Sequence, residues 1–278
     1  MSEGEAPVQL IGAPDPRLAG VLTRGYVGFR QPGIGTERWL EPPQPSITLI
    51  VTLQGRLRAG GNGLPGAWMG GLSDSCDMVE TTGPYSCVDL KLAPLGAYRL
   101  LGASMRELAG TTCALDEVWG ADGRRIEEQL HGAPDWASVF AAIERFLLAR
   151  MAAGRSADPA VERAWSRLCE TSGQLPVAEL AAELGCSRRH LTARFREQVG
   201  QPPKVVARLL RFKHVLRLLD AEPRRWADIA FECGYCDQSH LNRDFRDLAG
   251  MTPGAYVAAR IARGAAVTFV QDSDPAAP

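Results

Sequence analysis

The 278-residue sequence contains no apolar run approaching the 18 or more residues of a membrane span. That excludes a helical transmembrane role. The opening MSEGEAPVQL is acidic where a secretory leader would be basic and then apolar, so the expectation is a cytoplasmic protein. Histidine is scarce: His131, His190, His214 and His240 do not cluster, and none lies in the β-rich part of the chain. A metal-dependent barrel enzyme would want several histidines there. No nucleophile-elbow glycine pattern, Walker loop or dinucleotide fingerprint is present. No catalytic residue, metal ligand or cofactor is therefore assigned. Seven cysteines, an odd number scattered over a long chain, argue against a disulfide framework and for reduced thiols.

What is there is an ordinary globular composition, 45% hydrophobic and 23% charged, in a chain long enough for two domains. The net charge of −1 hides an asymmetry. Residues 1–158 carry 14 Lys and Arg against 18 Asp and Glu, whereas residues 159–263 carry 17 against 12. A basic block of about a hundred residues is an electrostatic pointer to a polyanion.

Residues 1–23 read as a lead-in loop. From Gly25 to Leu92, short apolar runs alternate with turn signals; SITLIVTLQG (Ser46 to Gly55) and YSCVDLKL (Tyr85 to Leu92) read as strands. The expectation is an antiparallel barrel or sandwich. After Pro94 the texture turns helical, with short helices at LGAYRLLG, SMRELAG and ALDEVWG and longer ones beyond. In DWASVFAAIERFLLARMAAG, Trp136, Val139, Phe140, Ile143, Phe146, Leu147 and Met151 form one apolar stripe, to pack on the β-region or on a second copy. The fold class is α+β: a barrel- or sandwich-like N-terminal domain with packed helices, then an all-α domain. Residues 1–151 form the first domain (β-rich over 25–92, helical over 94–151). Residues 152–158 are a linker, 159–263 the second domain and 264–278 a tail.

The strongest signal is an internal repeat. AELAAELGC (Ala178–Cys186) aligns with ADIAFECGY (Ala227–Tyr235), and HLTARFREQVGQPP (His190–Pro203) with HLNRDFRDLAGMTP (His240–Pro253). The offset passes from 49 to 50 just after the glycine. Each copy has helix-turn-helix logic. A small residue (Ala181, Ala230) permits close helix approach. Gly185 or Gly234 ends the first helix, and Ser187 or Asp237 can cap the second. Leu191 and Phe195, or Leu241 and Phe245, anchor the second helix and leave a polar face for a major groove. Between the copies, KVVARLLRFKHVLRLLD (Lys204–Asp220) predicts a long helix holding two reading heads.

Residues 159–263 resemble the DNA-binding domain of the AraC/XylS transcriptional regulators. LAAELGCSRRHLTARFREQVGQPP and IAFECGYCDQSHLNRDFRDLAGMTP carry the resemblance, the second more specifically. It implies a tandem helix-turn-helix domain behind an N-terminal sensor and dimerisation domain. Double-stranded DNA is the expected partner. RNA polymerase, a small-molecule effector and a second copy of the chain are possible partners, and no membrane is involved. The rival reading is an enzyme with a β-barrel catalytic domain and an appended DNA-binding module.

Arg189, Thr192 and Ala193 in the first reading helix, and Gln238, Ser239, Asn242 and Arg243 in the second, are the base-reading candidates. Arginine suits guanine, amides suit adenine, and Thr or Ala methyls suit the thymine methyl. Ser187, Arg188, Arg196, Arg246 and Thr252 are phosphate candidates. Asp237, Asp244 and Asp247 are expected to weaken phosphate attraction in copy two, leaving the first head more sequence-independent affinity. Pro202 replaces the Thr252 hydroxyl in copy one. Cys233-Gly-Tyr-Cys236 is a C-x-x-C, but Cys233 falls at a core helix position and no second pair completes a zinc set. Tyr26, Trp39, Trp68 and Tyr85 are candidates to line an effector pocket, with core packing as the alternative.

Overall fold

A computed structural model describes residues 8–33, 35–221 and 224–262. The strands are β1 (Val8–Gly12), β2 (Tyr26–Gln31), β3 (Thr36–Glu41), β4 (Ile47–Gln54), β5 (Leu57–Ala59), β6 (Asn62–Gly63), β7 (Ala67–Gly70), β8 (Asp77–Thr82), β9 (Tyr85–Leu92) and β10 (Thr112–Ala114). They make two antiparallel sheets, ordered β1-β2-β9-β4-β7-β10 and β3-β8-β5-β6. The N-terminal part is thus an open two-sheet structure and not a closed barrel. Alternation explains how β9 serves two sides. Val88, Leu90 and Leu92 face the main core, whereas Tyr85 and Cys87 enter a smaller cluster with Trp68, Leu57 and Val79 between the sheets.

The helices of this region are α1 (Pro94–Leu101), α2 (Leu115–Trp119), α3 (Ala121–His131) and α4 (Trp136–Ala153). The α4 stripe packs on the sheet of its own chain. Val139, Ala142, Ile143 and Leu147 are buried, Phe140 stacks on Tyr26 at 5.8 Å, and Trp136 lies over Gly28. A Cβ on Gly28 would fall 2.6 Å from the Trp136 ring, so only glycine admits the indole there.

Three local expectations are corrected. Residues 8–12 are a strand on the sheet edge, paired to β2, and not a loop. SMRELAG is a series of turns and not a helix. Gly102 and Gly110, both at positive φ, bracket a stretch too short for cooperative helix, and the Met105 amide donates instead to the Glu197 carbonyl at 2.8 Å. Thr112–Ala114 then pairs with β7.

The second region contains α5 (Pro159–Glu170), α6 (Val177–Glu183), α7 (Arg188–Val199), α8 (Pro203–Ala221), α9 (Trp226–Glu232), α10 (Gln238–Ala249) and α11 (Pro253–Ala262). The expected tail, 264–278, lies outside the described residues. Of the expected linker, residues 152–156 are exposed, but Ala157 is buried and Asp158 caps α5 by accepting from the Ala160 amide at 2.8 Å. The Asp158 amide donates to Gln198 Oε1 at 2.8 Å, and Arg194 donates to its carboxylate at 2.7 Å.

The Arg194 guanidinium and the Ala160 amide hold the Asp158 carboxyl below the usual carboxylate range. Its folded pKa is therefore lower than its unfolded one. The stabilisation is complete above the unfolded value, roughly pH 4, and is lost as pH falls through the folded one. Asp158→Ala is expected to cost about 1–2 kcal/mol at pH 7. The gap from wild type should narrow on acidification below about pH 4; urea melts at pH 7 and pH 3 check both, and a gap that widens in acid would contradict the assignment.

Candidate nucleic-acid interface

The two copies fold alike because the same residue types recur at the same helical positions. Ala181 and Ala230 are almost fully buried where the two helices of each pair meet. Gly185 (φ 63°) and Gly234 (φ 74°) turn the chain in the left-handed region that other residues avoid. The Ser187 hydroxyl accepts from the His190 amide at 3.2 Å, and the Asp237 carboxylate accepts from the His240 amide at 2.7 Å. Each satisfies an otherwise unpaired donor at the start of α7 or α10.

The anchors point inward. Leu191, Phe195, Leu241 and Phe245 are all buried. Phe195 stacks with Trp165 at 6.4 Å, and Phe245 meets Phe212 and Tyr256 edge-on at 5.0 and 5.4 Å. The opposite faces carry the candidate contacts. Arg188, Arg189, Ala193 and Arg196 on α7 are exposed, with Thr192 half-buried; Gln238, Ser239, Arg243 and Arg246 on α10 are exposed, with Asn242 half-buried. Ser187 is also exposed, although its hydroxyl is engaged as a cap. Thr252 is engaged likewise, accepting from the Ala255 amide at 3.2 Å at the start of α11. At Pro202, the corresponding position before α8, only the backbone carbonyl accepts, from the Val205 and Val206 amides.

The acids of copy two have other work. Asp237 is the α10 cap, and Arg208 of α8 donates to Asp244 and Asp247 at 2.8 Å each. The charges of Asp244 and Asp247 are thus paired from the bridging helix, which removes part of the reason to expect weaker phosphate attraction at the second head. Pattern alone could not reveal this, since Arg208 and Asp244 are 36 residues apart.

The remaining candidates separate. Trp39, Trp68 and Tyr85 share the inter-sheet cluster, but Tyr26 lies in the main core, its hydroxyl toward Glu144 at 3.4 Å. The four aromatics therefore do not line one pocket: Tyr26 sits beneath α4, on the other face of the six-stranded sheet. Cys233 is buried and Cys236 exposed, and burial pushes the Cys233 thiol up to about 12, away from reactivity. Among the described residues no group of three or more His, Cys, Asp or Glu side chains is placed to hold a metal ion. No described helix is long and apolar enough to cross a membrane.

Residues 180–259 match the family model of a helix-turn-helix domain. They form an AraC-type helix-turn-helix domain. A protein of Streptomyces antibioticus described as an AraC-like transcription regulator is 37% identical over 101 residues, 36% of this chain and 33% of that protein. The chain thus spans about a third of the length of that curated relative. The DNA-binding domain of AdpA, solved with a target DNA, is 32% identical and covers 39% of this chain and 97% of its own, with a TM-score of 0.36. ToxT from Vibrio cholerae covers 84% of this chain and 97% of its own at 13% identity, with a TM-score of 0.47.

In the AraC-type domain the caps test the local logic most cleanly. Asp237→Ala should destabilise the second head by about 1 kcal/mol, while Asp237→Asn, an equally good cap, should be nearly neutral. Thermal melts of both variants decide it; equal losses would show that the charge, and not the hydrogen bond to the His240 amide, holds the start of α10.

Proposed function

We propose that this chain is a sequence-specific, DNA-binding transcription regulator whose α7 and α10 read two major-groove segments of one site. The observation that carries the proposal is the pair of capped helices, each anchored by buried Leu and Phe, each with an exposed polar face, joined by the single helix α8. At 19 residues α8 is about 28 Å long, close to the ~34 Å repeat of B-DNA. The tandem arrangement lets one chain read an asymmetric site.

Arg189, Thr192 and Ala193, with Gln238, Ser239, Asn242 and Arg243, are assigned to base edges. Arg188, Arg196 and Arg246 are assigned to phosphates. Ser187 and Thr252 act in this scheme through helix starts whose amides can meet a phosphate. The N-terminal region is the sensor. Its effector site is placed between the sheets at Trp39, Trp68 and Tyr85, without Tyr26; Trp68 Nε1 is buried there with no hydrogen-bond partner, a donor that a polar ligand could satisfy. An effector that favours one arrangement of the two regions would shift the DNA-competent population. Contact with RNA polymerase and self-association belong to this reading through the family resemblance alone.

Binding-site selection with the full chain tests the core of the proposal. Arg189→Ala should lower affinity for the selected site by about 1–3 kcal/mol and relax preference at one position. Arg188→Ala should weaken all sequences alike and reduce the slope of log affinity against log salt by about 1. Unchanged base preference in Arg189→Ala would remove that residue from the reading set.

A further inference from the structure

The two heads are built on separate cores. The first shares the core of the N-terminal region, which runs on through α5, α6 and α7 to Val206, Ala207 and Leu210 of α8. The second is assembled around Leu209, Phe212, Val215 and Leu216 of the same helix. Among the described residues only α8 belongs to both. A helix shared by two cores fixes the separation of the two reading helices; their mutual rotation also answers to the contacts that the heads make outside it.

One turn spans the gap. Thr171–Gln174 connects α5 to α6 in the first head, with Ser172 (φ 48°) and Gly173 (φ 73°) both left-handed. This conformation presses the turn onto α8: a Cβ on Gly173 would lie 2.0 Å from the Ala207 carbonyl oxygen. From there two side chains make the connection. Arg211 of α8 donates to the Gly173 carbonyl at 3.0 Å, and its guanidinium lies 5.5 Å over the Tyr235 ring and 4.0 Å from Asp244 of α10. Gln174 donates through Nε2 to the Glu232 carbonyl at the end of α9, at 3.0 Å. Gly234 sits directly against it; a Cβ there would lie 2.8 Å from Gln174 Cγ.

We infer that the Thr171–Gln174 turn, with Arg211 and Gln174, is a clamp that sets the relative rotation of the two reading helices. Arg211 and Gln174 are thus positioning residues for DNA spacing and touch no DNA themselves. The inference rests on the DNA-reading function proposed above. Inserting one base pair between the two contacted segments moves them apart by about 3.4 Å and rotates them by roughly 35°. A clamped pair of heads cannot follow that change. A pair released from the clamp, joined through α8 and through the contact of Leu40 with the second core, can follow part of it.

The test is binding-site selection from random duplex DNA with the intact wild-type chain, Gln174→Ala and Arg211→Gln, followed by affinity measurements on the selected site with one base pair added or removed between its two blocks. Wild type should enrich two blocks at one spacing and lose about tenfold in affinity on either change. Both variants should enrich the same two blocks over a broadened range of spacings, with the penalty reduced to about threefold or less. Gln174 is exposed, so its truncation leaves the fold intact even if Arg211→Gln weakens the second head. An undiminished spacing penalty in Gln174→Ala overturns the clamp, as does loss of one whole block in that variant. A wild type that enriches no paired blocks would instead overturn the DNA-reading function, and the clamp with it.

Discussion

The structure depends on α8 being shared by two cores. Its 3.6-residue period sends Val206, Ala207 and Leu210 to one side and Leu209, Phe212, Val215 and Leu216 to another. Fully burying each Val, Leu or Phe among them stabilises by roughly 1.5–3 kcal/mol, so neither head can leave the helix without losing several kcal/mol. The two reading helices are therefore held at a distance set by one length of backbone. Their mutual rotation is set by smaller contacts outside that helix.

The same packing ties the first head to the N-terminal region. The apolar core is continuous from the sheet through α1 and α4 to α5 and α7. At its margin the Met105 amide donates to the Glu197 carbonyl at 2.8 Å, and Gln201 donates to the Leu72 carbonyl at 3.0 Å. These contacts grip the C-terminal end of α7 and leave its N-terminal basic face exposed. The second head meets the N-terminal region too, where Leu40 of β3 packs against its core. A crevice under the six-stranded sheet is lined by Leu49, Val51, Trp119 and Phe146 among others, and Trp119 Nε1, like Trp68 Nε1 between the sheets, is buried without a hydrogen-bond partner.

Much of the second region was legible because its signals are local. A small residue, a glycine, a cap and two anchors lie within about twenty residues of one another, and the repeat shows the pattern twice. The strands over 46–55 and 85–92 were equally readable from alternation and β-branching. Val8–Gly12 and Thr112–Ala114 were not, because each is a short edge strand that exists only through its neighbour, β2 or β7. Residues 104–110 look helical in composition, yet the Met105 and Gly110 amides donate to the Glu197 and Leu72 carbonyls, partners that the linear pattern does not display. Among the charged side chains the miss was larger. Nothing in the order of residues says that Arg208 neutralises Asp244, or that Arg194 is held by Asp158 instead of facing outward with Arg196.

By itself, then, the chain's order of residues determined that two helix-turn-helix units exist, where each turns, and which side of each reading helix is apolar. Those properties follow from steric and hydrophobic preferences acting over a few residues. Only the tertiary structure decided which aromatics share a space, which carboxylates are already paired, and how the two heads are rotated against each other. Those outcomes depend on contacts between residues tens of positions apart, and their distances are set when the cores close.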